Sequence, residues 1–243
     1  MRNGGLLAMT AALAVLAGTA CARERVVFVC AHPDDLGGCS GTAMLLAEKF
    51  DVHVIDYTHG ERGLGEEGYR DGSVKRMRTQ EETEACKIAG VTLHWFDEID
   101  GEAGASLDAA KKLAATFREL NPRAVILHWP LDTHTDHVMS AAAALKAIEL
   151  AEQTPEVYFQ EQPHQTRTFV PTVYVPIASV KERKDRLIGC YRCQWPDAMR
   201  KRKTEDAIVR GREAGVEFAE AFAVMNGTVR DGRSIFNEIQ SIR

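Results

Sequence analysis

Neither an excess of charge of one sign nor an internal repeat is found in this sequence. The 243 residues include 30 Lys and Arg against 35 Asp and Glu, which leaves a net charge of −5. No general positive field is therefore available to attract nucleic acid or an acidic membrane surface. With 45% hydrophobic and 27% charged residues, the composition is typical of a globular protein, and the length suits one main domain.

The sequence also lacks the cysteine pattern of a disulfide-stabilised fold. One of its six cysteines, Cys21, lies in the N-terminal segment, and the others are scattered: Cys30, Cys39, Cys86, Cys190 and Cys193. An odd number without regular spacing excludes a disulfide framework. Cys190 and Cys193 have CxxC spacing without a redox context, so we interpret them as a structural pair on a helix. One disulfide between them after export is the alternative.

A long apolar run is found only in the N-terminal segment, and that run, Leu6–Ala17, is too short to span a bilayer comfortably. Small residues follow it, so residues 1–22 are predicted to be a secretory signal peptide. The mature chain, residues 23–243, is then exported to the periplasm or the extracellular space and has no transmembrane span. A lipid anchor on Cys21 and a mis-assigned start codon are the alternatives.

The glycines do not form a nucleotide-binding motif. Gly37, Gly38 and Gly41 do not match G-x-G-x-x-G, and the glycine-rich stretch at residues 58–65 lacks the Gly-Lys-Ser/Thr of a P-loop. The sequence therefore argues against a dinucleotide-binding enzyme and against a P-loop NTPase.

Apolar β-branched runs alternate with helical patterns four times along the chain. The predicted strands are Val26–Ala31, Val52–Tyr57, Val91–Phe96, Ala124–His128 and Phe169–Ile177. The predicted helices are Gly41–Phe50, Val74–Ala89, Leu107–Leu120, His137–Glu152 and Val180–Tyr191. This alternation predicts an α/β fold with a mostly parallel sheet covered on both faces, in which ligands bind beyond the carboxyl ends of the strands.

Two polar segments follow predicted strands directly. His32-Pro33-Asp34-Asp35 comes after the first strand, and Trp129–His137, which contains two His and two Asp, comes after the fourth. Imidazole nitrogens and carboxylate oxygens are good ligands for a catalytic metal, which uses three protein ligands and water. Taken alone, the first segment is also typical of a helix N-cap and the second of a polar turn. Their shared position after parallel strands favours a metal site with His32, Asp35 and His137 as ligands.

These segments also carry a family resemblance. Ala31–Asp35 (AHPDD) with its Gly-rich turn, followed by His134–His137 (HTDH), resembles the PIG-L / LmbE-like family of metal-dependent de-N-acetylases. Thr58–Gly63 is similar to the family's T-x-G-E-x-G loop, Arg78 and its helix to the R-x-x-E helix, and Gly211–Phe222 to the C-terminal motif. The resemblance runs over most of the mature chain.

The resemblance implies a Rossmann-like three-layer fold and a zinc site, with Fe²⁺ or another divalent metal as the alternative. It implies that His32, Asp35 and His137 bind this metal. Asp34 matches the general base, and His134 matches the histidine that stabilises the transition state or protonates the leaving amine.

Two further site residues follow from the same resemblance. Asp136 matches the residue that orients the catalytic histidine His134, and Arg78 matches an arginine that contacts the substrate. The turn after Asp35 departs from the family pattern because it is one residue shorter and lacks the acidic residue after the second Asp. Cys193 stands where the family often has Ser.

The expected function is removal of an acetyl group from an N-acetylated sugar, of the N-acetylglucosamine type, or from a glycoconjugate. An amidase for a non-sugar amide would use the same residues. A 2-His-1-carboxylate Fe(II) oxygenase would use the same ligands, but the additional Asp34 and His134 favour hydrolysis. A sugar-binding protein without activity is the fourth interpretation.

Several other polar residues are interpreted as having no direct role in the site. His128 and His94 lie in predicted strands and are interpreted as packing residues, while His164 lies in an irregular stretch without a supported role. The basic region Lys181–Arg212 is interpreted as a solvated helix face, and a patch for an anionic substrate is the alternative.

Overall fold

Seven strands form one twisted sheet at the centre of the molecule. The structure is a computed structural model that describes residues 22–229 and 232–239. The strands are β1 Arg25–Cys30, β2 Asp51–Thr58, β3 Thr92–Glu98, β4 Ala124–His128, β5 Glu156–Gln160, β6 Val173–Pro176 and β7 Ala219–Val224. Their order is β3-β2-β1-β4-β5-β7-β6, and neighbouring strands are parallel from β3 to β5. β7 runs antiparallel to both β5 and β6.

Helices cover both faces of the sheet and complete a three-layer α/β fold. They are α1 Leu36–Ala47, α2 Glu66–Arg70, α3 Ser73–Ala89, α4 Leu107–Leu120, α5 Thr135–Ala151, α6 Lys181–Ile188 and α7 Pro196–Ala214. Successive strand residues point to opposite faces. In β1, Phe28 packs in the core beneath α1, α3 and α6, whereas Val29 packs in the core beneath α4 and α5.

The predicted fold class is confirmed, but four of these elements, α2, α7, β5 and β7, were not predicted from the sequence. α7 was missed because its buried positions, Met199, Lys203, Ala207 and Gly211, include a lysine and a glycine that hide the helical apolar stripe. β7 was missed because Glu220 interrupts its apolar run. β5 has only five residues and directly follows a long helix. Tertiary contacts, rather than local pattern, determine these elements.

Helix α1 begins five residues earlier than predicted, at Leu36, directly after the first polar segment. Its backbone departs from helical angles at Cys39, where φ is −123° and ψ is 16°. A Cβ at Gly41 would lie 2.8 Å from Ile177 and 2.9 Å from Glu220. The glycine at this position therefore allows α1 to pack closely against β7 and the segment after β6.

The five cysteines of the described chain are free thiols, so the alternative of a disulfide between Cys190 and Cys193 is not what the structure contains. The predicted signal peptide, residues 1–22, lies outside the described residues except for its last residue. Within the described ranges no helix has both the length and the apolar character that crossing a membrane requires.

Candidate metal centre and active site

The two polar segments meet where the strand order reverses. β1 and β4 are neighbours, but the chain continues from β1 to β2 on one side and from β4 to β5 on the other. A crevice opens at the carboxyl ends of such a strand pair. His32–Asp35 after β1 and Trp129–His137 after β4 therefore face each other across this crevice.

Asp35 is held in one orientation by the backbone before it. Its Oδ2 accepts hydrogen bonds from the N–H groups of Ala31, at 3.1 Å, and His32, at 2.8 Å. Its Oδ1 lies 3.4 Å from Nε2 of His137. Burial alone would raise the pKa of Asp35, but His137 and His128 hold it well below its ordinary value. The side chain is therefore an ionised carboxylate, which is the form that binds a metal.

His137 lies on the first turn of α5 and contacts carboxylates through both ring nitrogens. Nε2 faces Asp35, and Nδ1 lies 3.2 Å from Oδ2 of Asp132. Burial by itself lowers the pKa of His137, but Asp35 and Asp132 outweigh burial and raise it to about 9. The two carboxylates that stabilise positive charge on the ring would also stabilise a cation beside it.

The Asp136 carboxylate contacts His32, not His134 as the sequence predicted. Its Oδ2 lies 3.1 Å from Nε2 of His32 and accepts a 2.7 Å hydrogen bond from the Gly101 N–H. Asp100, which was not predicted, lies 3.3 Å from the same ring nitrogen. The reason is geometric, since Asp136 on α5 reaches back across the crevice to the end of β1. A carboxylate on the outer nitrogen of a ligating imidazole orients that ring and increases its basicity.

His134 stands at the N-terminus of α5, beside the other histidines. Its ring centre lies 4.4 Å from that of His32 and 4.9 Å from that of His137. Burial, together with His32 and His137, lowers the pKa of His134. Its Nδ1 is buried and has no hydrogen-bond partner within the described chain, so the ring retains an unused polar atom at the cavity.

These donor atoms fit a divalent metal ion. Ring nitrogens of His32, His134 and His137 lie within 4.8 Å of one another, and His137 also forms such a group with Asp35 and His128. An unsatisfied buried polar atom such as Nδ1 of His134 is costly unless a ligand satisfies it. Imidazole nitrogen with carboxylate oxygen is a donor set that Zn²⁺ binds. Asp35 contacts both of the other predicted ligands, Nδ1 of His32 at 3.5 Å and Nε2 of His137 at 3.4 Å, although the three do not form one such group among the described residues.

Asp34 has an unusual backbone and a strong ionic contact. Its φ of 98° is a conformation that non-glycine residues rarely adopt. Its Oδ1 accepts a 2.7 Å hydrogen bond from the Arg78 guanidinium. Burial raises the pKa of Asp34, and Arg78 opposes this shift. The carboxylate is therefore positioned beside the cluster of donors but is not part of it.

Arg78 of α3 is buried, and it donates hydrogen bonds to three acceptors of the protein. Besides Asp34, it donates to the carbonyl oxygens of Pro33 and, at 3.2 Å, of Gly60. A Cβ at Gly60 would lie 2.5 Å from this guanidinium, so the loop after β2 closes directly over it. These contacts hold Asp34, and a contact of Arg78 with substrate stays a prediction.

Two buried carboxyl groups lie behind Asp34. Glu82 of α3 accepts a 3.3 Å hydrogen bond from the Asp34 N–H, and burial raises the pKa of Glu82 to about 7. Asp56 on β2 is completely buried, and neither of its oxygens has a hydrogen-bond partner in the described chain. Burial, and then Glu82, raises the pKa of Asp56 well above its ordinary value. The site therefore contains acid groups that the sequence did not indicate.

A polar cavity of about 380 Å³ opens over this cluster. Its lining includes the acidic side chains Asp34 and Asp35 beside His32, and also His164 with Arg202 and Lys203 of α7. From the sequence, His164 had no supported role, and Lys181–Arg212 was interpreted as a solvated helix face, with a patch for an anionic substrate as the alternative.

His128 is another residue whose role the sequence missed. Its Nε2 accepts a hydrogen bond from the Ala31 N–H at 3.2 Å and lies 3.2 Å from Oδ2 of Asp35. Burial, and then the charge of His137, lowers the pKa of His128 to about 4. Its position as the last residue of β4, at the carboxyl end, is the signal that could have identified it.

The family comparison matches the part of the chain that contains both polar segments. The PIG-L family, described as GlcNAc-PI de-N-acetylase, matches residues 27–148, about half of the chain. This range runs from β1 through most of α5. The chain belongs to the PIG-L family. Its members are thus the relatives against which the site is compared.

Curated PIG-L relatives include enzymes of two kinds. The chain is 29% identical over 189 residues to a 4-oxalmesaconate hydratase of Pseudomonas putida, covering 69% of this chain and 73% of the hydratase. It is 30% identical over 160 residues to a 1D-myo-inositol 2-acetamido-2-deoxy-alpha-D-glucopyranoside deacetylase of Thermobispora bispora. That match covers 54% of this chain and 53% of the deacetylase, so the chain spans about half the length of this relative.

A solved PIG-L-type structure has the same architecture. The 4-carboxy-2-hydroxymuconate hydratase of Pseudomonas putida superposes with a TM-score of 0.76 at 25% identity. The match covers 87% of this chain and all of the hydratase chain. The α/β fold with its mostly parallel sheet is therefore shared along nearly the whole described chain.

Proposed function

We propose that this protein is a metal-dependent hydrolase that removes an acetyl group from an N-acetylated sugar or glycoconjugate. The observation that carries the proposal is the position of Asp34, an acidic side chain that lines the same cavity as His32, Asp35 and His137. Membership of the PIG-L family and the likeness to a deacetylase of an acetamido sugar support the substrate class.

His32, Asp35 and His137 would hold the metal, which we propose to be Zn²⁺. Bound there, Zn²⁺ would supply Lewis-acid chemistry, polarising the amide carbonyl and lowering the pKa of water. Fe²⁺ or another divalent ion would suit the same nitrogen and oxygen donors. Asp136 and Asp100, on the outer nitrogen of His32, would hold that ring in its binding orientation.

The protein side chains then perform the proton transfers. Asp34, held by Arg78, accepts a proton from the attacking water as the C–O bond forms. His134 donates a hydrogen bond to the amide oxygen as negative charge develops on it. The C–N bond then breaks, the amine nitrogen takes the proton from Asp34, and acetate leaves.

The test combines metal analysis of the purified protein with an assay of acetate release from a panel of N-acetylated sugars. We expect about one bound divalent ion per active site and acetate release from at least one sugar. Oxygen consumption without acetate would favour an Fe(II) oxygenase. Binding of sugars without release would favour a non-catalytic protein, and acetate from non-sugar amides alone would favour an amidase.

A second candidate function is the addition of water to a carbon–carbon double bond of an unsaturated carboxylic acid. The likeness to a 4-oxalmesaconate hydratase, which covers 73% of that enzyme, favours it, and so do the basic side chains Arg202 and Lys203 that line the cavity. The same carboxylate and metal would activate water for either reaction. Loss of the ultraviolet absorbance of an unsaturated dicarboxylic acid, without acetate release from any N-acetylated sugar, would establish this candidate instead.

A further inference from the structure

Two cations that line the cavity, the buried Lys203 and the exposed Arg202, have no carboxylate within 4 Å among the described residues. Lys203 lies on the buried side of α7, with only 4% of its surface exposed. Its amino group donates a hydrogen bond to Oε1 of Gln162. Among the described residues, no carboxylate lies within 4 Å of this amino group. Burying an ammonium group without a counter-charge is unfavourable, so the position requires an explanation.

A second buried lysine in the same chain has the carboxylate partner that a buried ammonium usually requires. Lys184 of α6 is equally buried, and its amino group lies 2.6 Å from Oε1 of Glu220. For Lys203 the nearest carboxylates act only through space. Burial lowers its pKa, and Asp206 and Asp35 reduce that shift without contacting the ammonium. The charge of Lys203 is therefore available to a ligand.

The neighbours of Lys203 add positive charge. Arg202 also lines the cavity, and the described chain offers it no carboxylate within 4 Å. Partial burial, then Lys203 and Arg202, lower the pKa of His164 to about 4. The other two arginines of the cavity are already paired, Arg62 with Glu102 at 2.5 Å and Arg78 with Asp34.

The cavity lining thus contains charges of both signs, the acidic Asp34, Asp35 and Asp100 and the basic Arg202 and Lys203. Gln162 connects them, because it accepts from Lys203 and donates to the Asp35 carbonyl oxygen at 3.0 Å. A neutral N-acetylated sugar bound at the metal donors would leave Lys203 and Arg202 without a counter-charge.

We propose that the substrate carries an anionic group, a carboxylate or a phosphate, that binds Lys203 and Arg202 while its reacting group lies at the metal donors. This proposal rests on the proposed function for the chemistry at the metal donors. The anion supplies the counter-charge that the buried ammonium lacks. Hydrogen bonds between two charged groups are stronger than those between neutral groups.

The first experiment compares substrates that differ in one anionic group, using the full metal-loaded protein. N-acetylglucosamine is the neutral substrate, N-acetylmuramic acid adds a carboxylate, and N-acetylglucosamine 6-phosphate adds a phosphate. We expect a higher kcat/KM for the anionic substrate, and whichever of the two is preferred identifies the anion. Lys203→Met and Arg202→Gln should each lower kcat/KM for that substrate by about ten- to a hundredfold and change it for the neutral sugar by less than about threefold.

Lys201→Gln is the matched control, since Lys201 is exposed on the same helix and does not line the cavity. It should leave kcat/KM for both substrates unchanged. If Lys203→Met reduces turnover of the neutral and anionic sugars equally, Lys203 is only structural, acting through Gln162, and the proposal is overturned. An unchanged preference in both variants also overturns it.

A binding experiment separates this proposal from the proposed function. Calorimetric titration with glutarate and with its neutral diamide, glutaramide, does not require acetate release. We expect glutarate to bind more tightly than glutaramide, with an affinity that falls at high salt and by about tenfold in Lys203→Met. Such binding without acetate release from any sugar refutes deacetylation but supports the anion site. Acetate release together with a glutarate affinity that does not depend on Lys203 supports deacetylation and overturns the anion site.

Discussion

Asp34 is the residue on which the proposed chemistry depends at the scale of single side chains. Its carboxylate lies next to the metal donors, and among the described residues its one ionic contact is with Arg78. Replacing it with Asn retains the size of the side chain and removes the proton acceptor. We therefore expect Asp34→Asn to lower kcat by about 10²–10⁴-fold and to leave the metal content unchanged. Turnover measured on metal-analysed protein tests this, and a near-normal rate would remove Asp34 from the mechanism.

His137 has a different role, because its Nε2 faces Asp35 in the group of donors. Without this imidazole only two of the three proposed ligands remain, whereas a catalytic zinc uses three protein ligands. We expect His137→Ala to lose the metal and, with it, activity. His94→Ala is the control, since His94 on β3 contacts His53 far from the cavity. Elemental analysis of both variants decides the matter, and metal retained at the wild-type level in His137→Ala would refute the assignment.

A variant of Asp136 can distinguish between two roles of this residue. The sequence predicted that it orients His134, whereas in the structure it contacts His32. A residue that orients His134 would affect turnover but not metal affinity. A residue that orients the ligand His32 should affect metal affinity, typically by about 10–100-fold. We expect Asp136→Asn to weaken metal binding in that range, measured by competition with a chelator. The exposed Asp108 provides the control Asp108→Asn, and equal affinities in the two variants would restore the interpretation from the sequence.

At the scale of elements, one buried ion pair anchors the helix that follows the metal ligands. Glu220 of β7 accepts from the N–H groups of Gly41, at 2.9 Å, and Thr42, at 2.7 Å, and also pairs with Lys184 of α6. Three elements, α1, α6 and β7, thus meet at one carboxylate. This contact holds α1, and therefore the turn after Asp35, against β7, the neighbour of the edge strand β6.

Removing one partner of this pair should be costly, because it leaves an uncompensated buried charge. We expect Glu220→Gln to lower the free energy of unfolding by about 3–5 kcal/mol, measured by denaturant unfolding. Adding Lys184→Met should recover part of that loss, since the unpaired ammonium is removed as well. Glu217→Gln, on exposed surface nearby, should have no effect. A Glu220→Gln variant as stable as the control would show that the pair does not anchor α1.

At the scale of the whole molecule, the metal donors join segments that are far apart in the chain. His32 and Asp35 follow β1, and His137 lies on α5. A ligand that binds only the folded state stabilises it by about 2.7 kcal/mol at 100 times its Kd. Chelation should therefore lower Tm by about 2–4 °C for each kcal/mol lost, and metal should restore it. The Tm of His137→Ala should not respond to metal. If the Tm of the wild type does not respond either, the protein has no bound metal.

Much of the architecture followed from local pattern. β1, β2 and β4 are short apolar runs whose buried faces are visible in the sequence, and α4 has a clear amphipathic repeat with Ser106 as its N-cap. α7 and β7 could not be predicted in the same way. Their buried polar residues, Lys203 and Glu220, are stable only through partners supplied by other elements. Local hydrophobicity therefore misrepresents where these residues lie.

The sequence by itself determined the α/β class, the family and the short segments that contain His32, Asp34, Asp35 and His137. It could do so because these residues directly follow strands, and the carboxyl ends of parallel strands are where sites form. Signal-peptide export of the chain stays a prediction, because those residues lie outside the described part.

Only the tertiary structure decided which side chains meet. It placed Asp136 on His32 instead of on His134, added Asp100 beside the same ring, and put Lys203 in the lining of the cavity that also contains the metal donors. Such contacts join residues separated by tens of positions, and neither spacing nor composition contains the crossing of helices and loops that creates them. For that reason the sequence could locate the metal motif, whereas only the tertiary structure could show that Lys203 lines the same cavity.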